Sequence, residues 1–163
     1  MATDPQDDAA FAAYGAALAD AVDQVVAGWV VRCVVGRCAD AGVPVTDAVR
    51  SRAETAGAAC RAQVVPALRN LLALDLDDQQ GTPLGILRGA ARFPTGVLSE
   101  LGVPHVQRDE FDERADPDDV YALAPAAYAD VDESLTGPGI AWGAAKAHVH
   151  MARHRPPGAA ATD

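Results

Sequence analysis

Residues 11–37 read FAAYGAALADAVDQVVAGWVVRCVVGR, and the large apolar side chains recur three or four positions apart: Leu18, Val22, Val25, Trp29 and Cys33, with Val26 and Val30 alongside. That period is the one that lines up side chains on one side of an α-helix, and a helix this apolar belongs in the middle of a bundle. The helix is expected to be capped by Asp7 or Asp8 and to stop at Ala41-Gly42, ahead of Pro44.

Working outward, a second helix is predicted from Thr46 as N-cap to about Leu76, through Val49, Ala53, Ala56, Cys60, Val64, Leu68 and Leu71, with a kink at Pro66. The short link at 42–44 makes the two an antiparallel hairpin. Ala53, Ala56 and Gly57 leave a shallow groove into which Trp29 or its neighbours are expected to fit. Thr82-Pro83 opens a third helix bearing Leu84, Leu87, Ala91, Val97, Leu98 and Leu101, interrupted at Phe93-Pro94 and ended by Gly102 and Pro104. An irregular acidic crossover follows, with one short helix capped by Asp116 ahead of Pro117. A closing helix runs from Pro138 to about His154, with Trp142, Val149 and Met151 buried. The fold expected is therefore a single-domain, all-α helical bundle of about five helices over 9–155, with disordered tails at 1–8 and 156–163.

Composition agrees with that reading. A chain of 163 residues can remove roughly 70% of its unfolded surface from water, enough for one core without staples. Half the residues are apolar but only 5% aromatic, so stability must come from close approach of small side chains. The polar, acidic start is not expected to act as a secretory signal, and the apolar run of the first helix is broken at Arg32, short of the ~20 residues a membrane span needs. Three cysteines without CxxC spacing fit a reducing compartment, and the chain is expected to be cytoplasmic. Counting outward from the hairpin turn puts Cys33 and Cys60 on the order of 12 Å apart in level, too far to bridge. Both are expected as buried small hydrophobes, while Cys38, beside Arg37 near a helix end, is the candidate for reactivity.

Net charge is −10, and residues 109–133 carry −9 of it, with ten acids against Arg114 alone. Tracking a nucleic-acid backbone requires clustered cations, so nucleic acid is an unlikely partner, and the 84–101 helices offer only Arg88 and Arg92 for DNA. Asp109, Glu110, Asp112, Glu113, Asp116, Asp118 and Asp119 are the candidate partner-binding residues, an acidic surface for a protein with a basic face. Homodimerisation through the long hairpin is a secondary expectation.

Two metal chemistries are the alternative. Carboxylates one turn apart at 109–113, with more at 130–133, suit Mg²⁺ or Mn²⁺. This set resembles the all-α nucleoside triphosphate pyrophosphohydrolases of the MazG type, whose motif is Glu-Glu-x-x-Glu followed by Glu-x-x-Asp. Here Asp109 replaces the first Glu, Asp130-x-x-Glu133 reverses the second pair, and Pro117 and Pro125 fall between. The resemblance implies metal-dependent phosphohydrolysis, and no catalytic residue is carried over from it. On the last helix His150 and His154 share a face and make a candidate transition-metal pair, with His148 pointing elsewhere. No Gly-x-Ser-x-Gly elbow, phosphate-binding loop or Glu-x-x-His pair occurs, and no cofactor is expected. The protein is accordingly expected to be a non-enzymatic interaction or regulatory protein.

Overall fold

The computed structural model describes residues 4–107 and 116–156, and among them the secondary structure is entirely helical. α1 (Pro5–Asp40) and α2 (Asp47–Ala73) form the long antiparallel hairpin. α3 (Pro83–Gly89) and α4 (Arg92–Glu100) are the two halves of the interrupted third helix. A single turn, α5 (Tyr128–Val131), precedes the closing helix α6 (Thr136–Arg153). No described helix is long and apolar enough to cross a membrane.

α1 is the element against which α2, α4, α5 and α6 all pack. Its buried positions are Phe11, Gly15, Leu18, Ala19, Val22, Val26, Trp29, Val30, Val34 and Cys38. The spacing is mostly four, slightly more than the helical repeat, so the buried stripe turns gradually around the rod. That turning is why Val25 and Cys33, expected at the centre of the stripe, lie at its margin and are half-buried.

The core divides along α1. Phe11 to Val30 pack with α2, α3 and α6, where the Phe11 ring stacks on Trp142 at 6.0 Å between centroids. Val34 and Cys38 pack instead with Val49, Ala53, Leu98, Val103 and Tyr121 near the hairpin turn. Midway along, α1 and α2 approach so closely that a Cβ built on Gly57 would stand 2.6 Å from the Ala27 carbonyl oxygen. The space at Gly57 is thus filled by the α1 backbone at Ala27, two residues from Trp29.

Local chemistry explains the element ends. Thr46 and Thr82 cap α2 and α3 by accepting from the amides of Val49 and Gly85. Gly42 and Gly102 adopt φ of +69°, and the amides of Val43 and Val103 return to Cys38 and Leu98. Four expectations need correction. The α1 cap is Asp4, which accepts from the Gln6 amide with Pro5 at the first helical position, so the helix begins within the stretch read as a tail. The third helix breaks at Ala90-Ala91, and Pro94 sits in the first turn of α4, where a missing amide hydrogen costs nothing. Asp116-Pro117 starts a turn and not a helix, because the Asp116 carboxylate accepts from Asp118 two residues on. Met151 is 64% exposed, on the outer side of α6.

Candidate functional site

Of the candidate partner-binding acids, Asp109, Glu110, Asp112 and Glu113 lie outside the described residues. The chain on either side of them is firmly tied. The Val106 amide donates to the Val120 carbonyl at 3.0 Å, and the buried Tyr121 hydroxyl donates to the Val103 carbonyl at 2.7 Å. His105 lies edge-on to the Tyr121 ring at 5.3 Å, and Arg37 on α1 donates to the Tyr121 carbonyl at 3.1 Å. The two described flanks of residues 107–119 are therefore held together at one point, beside the turn of the hairpin. The 107–119 sequence holds seven acids and two arginines.

The described acids do not all face solvent. Asp116 and Asp118 are exposed, as a partner surface requires. Asp119 is only 9% exposed and turns inward, its two oxygens accepting from the amides of Leu123 at 2.8 Å and Ala124 at 2.9 Å. It stabilises a turn that passes through Ala122 at φ +52°, so its carboxylate belongs to the fold and leaves the acidic surface. Further along, Asp130 accepts from the amides of Ala126 and Ala127 through one oxygen, both at 2.9 Å. Asp132 accepts from Ser134, which holds its carboxyl below the ordinary value, and stands 3.6 Å from Arg32. The acidic segment thus contains carboxylates that organise backbone at 116, 119, 130 and 132, of which only Asp119 is buried, while Asp118 is exposed.

His150 and His154 are brought together, with ring centroids 4.3 Å apart. One ring nitrogen of His154, Nδ1, already lies 2.9 Å from the His150 carbonyl. Among the described residues no three His, Cys, Asp or Glu side chains converge as a metal site would need. Arg153, between these histidines, reaches Asp8, Asp75 and Asp77 at 3.4 to 3.5 Å and ties the end of α6 to the start of α1.

The cysteines are unbridged. Burial pushes the Cys33 thiol up to about 11 and Cys60 up to about 12. Cys38 is fully buried and its pKa is raised by the same cause, which corrects its reading as the reactive thiol.

One feature of the hairpin had no motif to announce it. On its outer side runs a groove of about 680 Å³ lined solely by α1 and α2, among them Ala27, Gly28, Val31, Ala58, Ala62 and Val65. Gly28, Ala58 and Ala62 are exposed there. The sequence signal, visible in retrospect, is small residues at helical spacing opposite the buried stripe.

These features define an all-α bundle with an acid-rich excursion beside its hairpin turn. Comparison with protein-family models, with curated proteins and with solved structures found no match.

Proposed function

We propose that this protein is an interaction or regulatory module without catalysis of its own, whose acid-rich excursion at 107–119 engages a protein with a basic surface. The observation that supports the reading is the tie at Val106 and Val120, reinforced by Tyr121, which fixes both flanks of a stretch whose sequence carries six acids besides the inward Asp119. A dense charge on a short tethered segment speeds encounter with an oppositely charged protein and selects against acidic ones. The carboxylates put to this use are Asp109, Glu110, Asp112, Glu113, Asp116 and Asp118.

The test compares the immobilised full chain with the variant Asp112→Asn, Glu113→Gln, Asp116→Asn, Asp118→Asn. These changes keep shape and leave Asp119 in place. Basic proteins captured from lysate at low salt are expected to fall at least roughly tenfold with the variant, and capture by the wild type is expected to fade within the range where the Debye length drops below about 8 Å. Equal capture by both proteins at low salt overturns the proposal.

A further inference from the structure

We propose that the C-terminal end of α6 carries a copper(I) site made of His150, Met151 and His154. The site is independent of the acidic stretch, since this end of α6 is tied through Arg153 to the start of α1, away from the hairpin turn.

Helical spacing assembles the donors. Residues three and four apart are neighbours on a helix surface, so His154 adjoins both Met151 and His150. The two imidazole rings are already 4.3 Å apart between centroids and tilted by 31°. Both histidines are exposed, and neither has a carboxylate partner among the described residues, whereas His148 meets Asp7 at 3.5 Å. Met151 is 64% exposed, so its thioether is open to an ion from solvent.

A hydrogen bond sets the tautomer that such a site needs. Nδ1 of His154 lies 2.9 Å from the His150 carbonyl oxygen, which also accepts from the His154 amide at 3.1 Å. A carbonyl only accepts, so Nδ1 carries the hydrogen and Nε2 keeps its lone pair. A histidine that binds metal through one nitrogen characteristically gives the other N–H to a carbonyl or carboxylate, which fixes the ring and raises its basicity. His154 has that outer contact in place.

The donor set selects the ion. Mg²⁺, Ca²⁺ and Mn²⁺ call for oxygen donors, and the acids that approach α6 here, Asp8, Asp75 and Asp77, face Arg153. Structural zinc takes four strong ligands, and no three His, Cys, Asp or Glu side chains converge among the described residues. Two imidazoles and a thioether form a soft, uncharged set that suits monovalent copper. Arg153 and Arg155, next to His154 in the chain, weigh more against a divalent ion than against a monovalent one.

The test supplies Cu(I) anaerobically to the full chain against a competing chromogenic chelator, while imidazole and methionine methyl NMR signals report where the ion sits. One equivalent should move the His150 and His154 ring signals and the Met151 methyl, and leave those of His105 and His148 in place. His150→Gln and His154→Gln should each weaken Cu(I) binding at least roughly tenfold, with helicity unchanged because both side chains are exposed. Met151→Leu should weaken Cu(I) by a similar factor while leaving Zn²⁺ binding as it was, because the thioether favours the softer ion. His148→Gln should bind as the wild type does. Absence of Cu(I) binding overturns the proposal, as does copper that goes to the thiols at 33, 38 and 60 and leaves the two histidine signals unmoved. A Met151→Leu variant that holds Cu(I) as tightly as the wild type, or an affinity for Zn²⁺ equal to that for Cu(I), overturns it equally.

Discussion

The two ends of the bundle are held by different physics. At the turn end, polar groups face inward: the Tyr121 hydroxyl and the Asp119 carboxylate serve backbone groups beside Val34, Cys38, Leu98 and Val103. At the opposite end the elements are joined by charges near water, with Arg153 among Asp8, Asp75 and Asp77, and His148 3.5 Å from Asp7. A buried polar group that loses its partner costs its full desolvation, whereas an exposed ion pair exchanges one set of good interactions for another. The lesson is that seemingly equivalent aspartates have unequal consequences, decided by whether they hold buried backbone amides or side-chain cations.

The largest effect should come from Asp119→Ala, which strands the amides of Leu123 and Ala124. Loss of about 2 kcal/mol in urea unfolding is expected, with Asp119→Asn costing less because it keeps an acceptor. Tyr121→Phe should cost about 1 kcal/mol, since one buried hydroxyl bond is lost while the ring remains. Arg153→Ala should cost less than about 1 kcal/mol, and the difference from wild type should shrink in high salt. If Arg153→Ala proved as costly as Asp119→Ala, and equally so in salt, the contrast between the ends would be wrong.

Titration sharpens the same contrast. Asp23 and Asp132 have folded pKa values below the ordinary 3.8, so the stability they add is present above that value and is lost as pH falls through their folded pKa values. Cys33 and Cys60 behave oppositely. Their folded values of about 11 and about 12 exceed the ordinary 9.0, so their contribution is complete below pH 9 and is lost as pH rises toward those values. A melting temperature that declines on the alkaline side beyond pH 9, and less so in a Cys33→Ala, Cys60→Ala variant, would confirm the sign. Iodoacetamide at pH 8 should leave all three thiols largely unmodified in the folded chain.

Much of this architecture was legible from residues whose backbone demands are local. Thr46, Thr82, Gly42 and Gly102 mark element ends through caps and a left-handed turn that need no tertiary information, and the period of Leu18, Val22, Val26 and Val30 marks the rod. Reading failed where one residue type has two uses. Pro94 is a breaker in mid-helix but neutral in a first turn, and only the break at Ala90-Ala91 decides which applies. Asp4, Asp7 and Asp8 are alike as acceptors, and the signal that separates them is Pro5, which follows Asp4 and suits the first helical position. Asp119 sits in a run of acids that all read as solvated, yet its direction depends on the turn at 119–124, which no period announces. The hairpin groove escaped notice for a related reason: alanine and glycine carry almost no pattern of their own, although spacing between helices depends on them.

The tie between Val106 and Val120 has a practical corollary. Since Val106 and Val120 are bonded to each other, the cost of closing a longer chain between them rises slowly, and doubling that length should cost only about 0.6 kcal/mol in closure entropy. That spot is where an epitope, a fluorescent reporter or a foreign recognition peptide can be grafted without retuning the helices.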